Sequence, residues 1–224
     1  MTDVSGVAGH PRYRTDNLRA LQPTGEPTTA AATVYVIDGD LTVHDSIRWD
    51  LESSKIRVVY CSTPESFLRS YVAGNGPACI VLDVRLPDCT GPDLQDRLLA
   101  QGIECPILFV SACNEVSTAV RVMKRGAFDF VEKPFELSDL TRRIRAALSK
   151  DQERLSHRES RRRLEQRLRL LSDREREVMD LVVTGLSSRQ IAGRLFITRK
   201  TVECHRLRIM KKMAATNVAQ LIYL

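Results

Sequence analysis

The sequence predicts an α/β domain built on a five-stranded, doubly wound parallel sheet, followed by a helical linker and an all-helical region. Five short apolar segments rich in β-branched residues alternate with amphipathic segments between residues 33 and 148. The chain then becomes rich in Arg and Glu between residues 150 and 169, with few large apolar residues. From Ser172 onward the apolar residues recur only at helical spacing.

The strands are predicted at residues 34–37, 56–60, 78–82, 106–110 and 128–131. The helices between and after them are predicted at residues 43–51, 63–71, 92–100, 116–124 and 137–148. Strands that are apolar on both faces need helices on both faces of the sheet, and this requirement predicts a parallel sheet inside two helical layers. Trp49, on the first helix, is predicted to be partly buried.

The remaining segments complete the predicted domain organisation. Residues 1–31 contain several Gly and Pro and no sustained apolar periodicity, so a flexible tail is expected. The α/β domain is assigned to residues 32–149, the linker to 150–171 and the last domain to 172–224. No segment approaches the roughly 20 apolar residues that cross a bilayer, and no signal peptide is evident. We therefore expect a cytoplasmic protein with no membrane partner.

Charge is distributed unevenly along the chain. The formal net charge is +6, but residues 1–137 carry 18 acidic and 13 basic side chains, whereas residues 138–224 carry 10 acidic and 21 basic ones. An acidic region suits a metal cation, and a basic region suits a polyanion such as nucleic acid.

The segment 150–169 has two interpretations. Its large apolar residues are Leu155, Leu164 and Leu168, which form a thin stripe at helical spacing. A solvated linker helix explains this pattern. A dimeric coiled coil explains it as well, although the segment holds fewer than three clean heptads.

Polar side chains follow the predicted strands at the points where they end. Asp38 and Asp40 follow the first strand, Asp83 the third, Ser111 the fourth and Lys133 the fifth. Ligands of such sheets bind outside the carboxyl ends of the strands. Clustered carboxylates favour a bound Mg²⁺, and a lysine and a hydroxyl beside them suit a phosphoryl group. The pattern therefore predicts a magnesium-dependent phosphoryl site.

Four stretches resemble the flavodoxin-like receiver domain of bacterial two-component response regulators: VYVIDGD (34–40), IVLDVRLPDCTG (80–91), LFVSA (108–112) and GAFDFVEKPF (126–135). The resemblance covers residues 33–149. It implies that Asp83 accepts a phosphoryl group from a histidine kinase, that Lys133 bonds the phosphoryl oxygens and that Ser111 moves to meet them. Phe130 matches the aromatic residue that turns inward on activation, and the peptide bond before Pro134 is expected to be cis. The implied Mg²⁺ site comprises Asp38, Asp40, Asp83 and Arg85.

Gly39 departs from the family pattern, which has two adjacent acids after the first strand. Glycine cannot ligate a metal, so weakened Mg²⁺ binding is one interpretation. In its extreme form, the protein is an orphan regulator that acts without phosphorylation. The other interpretation is that Gly39 supplies a backbone conformation with positive φ.

The residues that follow the first strand also allow a function of a different class, that of an enzyme. The segment from Asp38 to Thr42 matches the DxDxT motif of haloacid-dehalogenase-like phosphatases, in which the first aspartate is the nucleophile and the second, here Asp40, the general acid. This alternative leaves the motif Asp83-x-x-x-Pro87-x-x-x-Gly91 unexplained. We therefore predict that the protein is not an enzyme.

The last domain begins with two capping boxes, Ser172 with Glu175 and Ser187 with Gln190. A three-residue turn at 196–198 then leads into a longer helix at 199–213, and a short helix begins near Asn217. Two helices joined by so short a turn are typical of a helix-turn-helix.

Three stretches resemble the LuxR-type helix-turn-helix of the NarL/FixJ subfamily: SDREREV (172–178), GLSSRQIA (185–192) and KTVECHRLRIMKKM (200–213). The resemblance implies duplex DNA as a partner, and we expect a homodimer in the active state. Spacing predicts Val202, Ile209 and Met213 as core. It predicts Glu203, Cys204, Arg206 and Leu207 on the opposite face, free to enter a major groove. The other predicted DNA-binding residues are Thr198 and the phosphate-contact candidates Arg189, Arg199, Lys200, Thr201, Lys211 and Lys212.

Overall fold

The computed structural model describes residues 31–39, 41–112 and 116–223. Asp40 and nearly all of the predicted tail lie outside these ranges. No helix within them is both long and apolar enough to cross a membrane.

Five parallel strands form one sheet: β1 (Thr33–Ile37), β2 (Arg57–Cys61), β3 (Ala78–Asp83), β4 (Ile107–Ser111) and β5 (Asp129–Glu132). Their order is β2-β1-β3-β4-β5. The winding direction reverses between β1 and β3, which opens a crevice at the carboxyl ends of those two strands. The predicted residues Asp38 and Asp83 lie at this crevice.

Helices cover both faces of the sheet, which confirms the predicted doubly wound fold. The first four are α1 (Leu41–Ser53), α2 (Pro64–Ser70), α3 (Gly91–Ala100) and α4 (Val116–Lys124). Alternate residues of each strand point to opposite faces. Val36 therefore packs with Ile47 and Leu51 of α1, whereas Ile37 belongs to the core formed with α2, α3 and α4.

Trp49 is 87% exposed, so the prediction of partial burial was wrong. Ile47 and Leu51 hold α1 against the sheet and are fully buried. A residue two positions from Ile47 points about 200° away from it around a helix, so the ring faces solvent.

A single helix, α5 (Leu137–Arg169), replaces the two helices predicted around residues 137–148 and 150–169. The sequence between them, Leu148-Ser149-Lys150, contains neither Gly nor Pro to interrupt a helix. Leu140 and Ile144 are buried against the sheet, whereas Leu164 and Leu168 pack against the C-terminal core. The helix is about 50 Å long and joins the two cores directly.

Asp151 fixes α5 to the sheet near the middle of the helix. Its side chain is 2% exposed and accepts a hydrogen bond from the backbone N–H of Ala78, the first residue of β3, at 2.8 Å. Arg154 pairs with Asp151 at 2.8 Å and with Glu104 at 2.8 Å. Packing against the sheet thus continues beyond residue 149, the predicted limit of the α/β domain.

The C-terminal region is all-helical: α6 (Asp173–Val183), α7 (Ser188–Leu195), α8 (Arg199–Met213) and α9 (Val218–Tyr223). Both predicted capping boxes form, and Gly185 takes a φ of 83° just after α6. Val178, Val202, Ile209, Met213 and Leu221 are buried in one core. The helix-turn-helix prediction is confirmed.

Candidate functional site: a carboxylate–lysine cluster and an exposed helix face

Three charged side chains from distant parts of the chain meet at the carboxyl edge of the sheet. The Nζ of Lys133 lies 2.8 Å from Oδ2 of Asp38 and 2.7 Å from Oδ2 of Asp83. The exposed fractions of the side chains are 2% for Asp38, 14% for Asp83 and 19% for Lys133. Asp83 is therefore the more accessible of the two carboxylates.

Lys133 is held in its charged form by these neighbours. Burial lowers the pKa of its ammonium group, but the hydrogen bonds and negative charges of Asp38 and Asp83 outweigh burial and raise that pKa above its usual value. Lys133 therefore lies between two carboxylates at the sheet edge.

The loop after β3 positions Asp83. The backbone N–H of Arg85 donates a 2.8 Å hydrogen bond to Oδ1 of Asp83, and the N–H of Gly91 donates one to the carbonyl of Val84, also at 2.8 Å. A Cβ on Gly91 would lie 2.4 Å from the carbonyl oxygen of Asp83. Only glycine therefore lets the start of α3 approach this closely, which explains Gly91 of the Asp83-x-x-x-Pro87-x-x-x-Gly91 motif in physical terms.

Ser111 and Phe130 lie on the two neighbouring strands. Ser111 ends β4, is buried, and accepts a 2.7 Å hydrogen bond at its carbonyl from the backbone N–H of Lys133. Phe130 is half-buried in β5 and pairs in register with Phe109 of β4. The Lys133–Pro134 bond is cis, as the resemblance implied.

The predicted metal ligands are brought together in part. Asp38 and Asp83 converge, Arg85 is exposed beside them with its N–H on Asp83, and Asp40 lies outside the described residues. Within the described ranges, no group of three or more acidic, His or Cys side chains could hold a metal.

Gly39 does not have a positive φ, and the nearest atom to a Cβ built there is Cγ of Pro87, 4.0 Å away. The interpretation of Gly39 as a source of left-handed backbone freedom was therefore wrong.

The second candidate surface is the exposed side of α8. Its residues recur three and four positions apart, so they form one continuous stripe, which we call the reading face. None of these side chains forms an ion pair or hydrogen bond with another described residue. The reading face consists of Lys200, Glu203, Cys204, Leu207, Arg208 and Lys211.

Arg206 does not lie on the face opposite the core, contrary to prediction. It follows Val202 by four residues, which places it only about 40° from that core residue around the helix, and it is half-buried. Arg208, which the sequence interpretation missed, is exposed on the reading face instead. Counting 100° per residue from Val202 would have found it.

The other predicted DNA-binding residues divide into exposed and engaged ones. Arg189 and Arg199 are exposed. The hydroxyl of Thr198 caps α8 by accepting from the N–H of Thr201, and the two hydroxyls are 2.8 Å apart.

Lys212 is half-buried and donates to buried Glu175 at 2.6 Å, so it forms an ion pair within the domain. The pKa of Glu175 is lowered by this bond and by the N–H of Ser172.

Comparison with known proteins identifies both halves. Residues 34–145 match the response regulator receiver domain, and residues 169–224 match the luxR family of bacterial regulatory proteins. The transcriptional regulatory protein TdiR of Thauera aromatica is 36% identical over 88% of this chain and 86% of its own length. The transcriptional regulatory protein FixJ of Bradyrhizobium diazoefficiens is 35% identical over 88% of this chain and 95% of its own.

A solved structure agrees. The response regulator StyR superposes with a TM-score of 0.79 at 36% identity, covering 87% of this chain and 98% of its own. These relatives support neither the phosphatase nor the orphan alternative. A receiver domain implies a histidine kinase as partner, and a luxR-family domain implies DNA. The chain therefore belongs to the NarL/FixJ family of two-component response regulators, transcriptional regulators in which a receiver domain precedes a LuxR-type DNA-binding domain.

Proposed function

We propose that phosphorylation of Asp83 controls DNA binding by this regulator. The observation that carries the proposal is the position of Asp83 at the end of the central strand, with a carboxylate oxygen 2.7 Å from Lys133. Asp38 has the same lysine at 2.8 Å, but its side chain is almost completely enclosed. An incoming phosphoryl donor therefore reaches Asp83 more readily than Asp38.

Lys133, Ser111 and Phe130 are proposed to respond to the phosphoryl group. A phosphoryl group adds about −1.5 to −2 charges at neutral pH. The ammonium of Lys133 is already within bonding distance of Asp83, and Ser111 ends the adjacent strand. Movement of Ser111 towards the phosphoryl oxygens would leave room for half-buried Phe130 to turn inward.

Mg²⁺ is the proposed cofactor, and the donor set fits it. Receiver domains generally use this ion, which takes one or two carboxylates together with water and phosphate oxygens. Asp38 and Asp83 supply two hard oxygen donors whose charge Lys133 alone does not neutralise. Asp38 and Asp83 would hold the ion through their carboxylates and Arg85 through its backbone carbonyl, with Asp40 as a further candidate. The ion would neutralise charge on the phosphoryl oxygens.

The effect on DNA binding is proposed to pass through dimerisation. The reading face is exposed in the full chain, so activation does not need to uncover it. A single helix-turn-helix makes few base contacts, and pairing on a repeated site is the usual route to useful affinity. On the receiver, α4 exposes Val116, Val120 and Met123 at spacings of four and three residues. We assign this apolar stripe to contact with a second copy of the chain.

The proposed DNA contacts are the reading face together with Arg189, Thr198, Arg199 and Thr201. Arg206 lies beside the reading face, where a long side chain suits a phosphate contact better than a base contact. The division of the chain at residues 149 and 171 also remains a prediction. Helix α5 runs through the first limit without a break and ends at Arg169, two residues before the second.

Intact mass after treatment with acetyl phosphate and Mg²⁺ tests the proposal. We expect one phosphoryl group on the wild-type chain, carried as an acyl phosphate with acetate released, and none on Asp83→Asn. Sedimentation of the same samples should show dimers only for the phosphorylated wild type. The matched control is Asp88→Asn, which changes an exposed aspartate in the following loop and should behave as wild type.

Equal phosphorylation of wild type and Asp83→Asn would contradict the assignment. A phosphoryl group mapped to Asp38 would favour the phosphatase alternative. A wild-type chain that stays unmodified yet binds DNA would favour the orphan regulator.

A further inference from the structure

The reading face of α8 is cationic at its ends and not in its centre. Lys200 lies at the N-terminal end, and Arg208 and Lys211 lie towards the C-terminal end. Between them are the carboxylate of Glu203, the thiol of Cys204 and the side chain of Leu207, which is 75% exposed. The cations suit phosphates, whereas a carboxylate and an isobutyl group do not, so the centre is matched to base edges.

Glu203 is available for a new hydrogen bond. Arg199, Lys200 and Arg206 lie three or four positions away, a spacing at which helical ion pairs form. Glu203 nevertheless has no partner among residues 31–39, 41–112 and 116–223. Exposed glutamates of α5 at the same spacing do pair, as in Arg161–Glu165 at 3.1 Å and Arg163–Glu159 at 2.9 Å.

An ionised carboxylate accepts hydrogen bonds and cannot donate them. In the major groove, cytosine presents only the donor N4 amino group, whereas guanine presents the acceptors O6 and N7, and thymine presents O4. Adenine has a donor at N6 but an acceptor at N7 beside it. Glu203 would therefore bond cytosine and be repelled, wholly or in part, by the other three bases.

We propose that Glu203 is the specificity-determining residue of α8 and that it selects a cytosine in each half-site through the N4 amino group. Leu207, four residues further along the same face, contacts the methyl group of a neighbouring thymine. This inference rests on DNA binding by α8, as proposed above, and adds the identity of the bases.

Selection from a pool of randomised duplex DNA by the full-length chain, phosphorylated with acetyl phosphate, tests this assignment. The wild-type chain should enrich one cytosine per half-site. Replacing that cytosine by any other base should weaken binding about tenfold. Glu203→Gln should instead enrich adenine at that position, because an amide bonds both N6 and N7 of adenine.

Asp180→Asn is the matched control, since it removes the same charge from an exposed side chain of α6 and should keep the cytosine preference. A wild-type pool without that cytosine, or an unchanged preference in Glu203→Gln, would overturn the assignment while leaving DNA binding intact. Retention of no duplex at all by the wild type would overturn DNA binding by α8 together with this assignment.

Discussion

The sheet edge and the reading face treat charged side chains in opposite ways. At the sheet edge, Asp38, Asp83 and Lys133 are largely buried, and each carboxylate lies within 2.8 Å of the lysine Nζ. On α8, charged side chains such as Lys200 and Glu203 are exposed and unpaired within the described part of the chain. Burial of a charge is costly unless it is paired, whereas an exposed charge is solvated by water and gains little from a partner.

The contrast matches two modes of recognition. The sheet edge is preorganised, so the phosphoryl group proposed for Asp83 would meet charges that are already in place. The reading face would obtain its partners from DNA, as proposed above, and its affinity should depend strongly on salt because its cations displace counterions from the duplex. A substitution at the sheet edge should therefore change the stability of the fold. A substitution on the reading face should change the affinity for DNA.

Lys133→Met should produce the largest effect, a loss of about 3 kcal/mol in the free energy of unfolding, because two neighbouring carboxylates lose their buried cation. The pKa of Lys133 is raised in the folded state. Its contribution is therefore complete below the unfolded pKa of about 10.4 and is lost as pH rises through the folded pKa. Urea unfolding of both proteins from pH 7 to pH 11 measures the difference, which should shrink only at the alkaline end.

Lys124→Met controls for the loss of a lysine, since Lys124 is exposed on α4 and should change stability by less than about 0.5 kcal/mol. Equal, small losses in both variants would mean that the pairs at the sheet edge contribute nothing measurable.

Gly39→Asp should add a metal ligand to the preorganised edge. The position has an ordinary φ and room for a Cβ, so the backbone permits the change. We expect Mg²⁺ to bind about tenfold more tightly, equivalent to about 1.4 kcal/mol, as measured by calorimetry on the full chain. Gly193→Asp, at an exposed position of α7, adds the same charge elsewhere and should leave Mg²⁺ affinity unchanged. Unchanged affinity in Gly39→Asp would show that the wild-type site already has its full set of ligands.

Phe196→Gly should stabilise the DNA-binding domain by about 1 kcal/mol, because a left-handed conformation is unfavourable for residues with a Cβ. Phe196 has φ 55° and ψ 42° in the turn before α8, and its side chain is 95% exposed. Thermal unfolding measures the gain. Phe196→Ala keeps the Cβ and should show no such gain. Destabilisation by glycine would mean that the ring makes contacts that offset the strain.

Lys200→Ala should have the smallest effect, a reduction by about 1 in the slope of log affinity against log salt concentration, since one phosphate contact is lost. The loss should be equal on specific and random duplexes. Titration of labelled DNA at several salt concentrations measures it, with Lys124→Ala as the control on the receiver. A slope unchanged from wild type would remove Lys200 from the phosphate contacts.

Much of the fold was predictable because the signals are local. Strand and helix periods differ, so the alternation of β1 to β5 with helices is visible in the sequence, and the capping boxes at Ser172 and Ser187 mark helix starts within four residues. Side chains at strand ends could be grouped because parallel strands share one edge. Asp38, Asp83 and Lys133 were predicted together for this reason and are found together.

Exposure was less predictable, because it depends on which elements pack together. Nothing local distinguishes Asp38 from Asp83, yet one is enclosed and the other accessible. The outward direction of Trp49 follows from the way Ile47 and Leu51 hold α1 against the sheet. Arg206 is a different case, because its place beside the core could have been predicted from its spacing of four residues from Val202.

The sequence by itself determined the two-domain organisation, the sheet, the strand-end residues and the helix proposed to face DNA, since each depends on spacing within a short segment. Only the tertiary structure decided that α5 is one helix anchored at Asp151, that Asp83 is the more accessible carboxylate and that Lys212 is paired with Glu175. These features depend on contacts between residues far apart in the chain, such as Ala78 with Asp151, and burial and charge pairing arise from those contacts rather than from local periodicity.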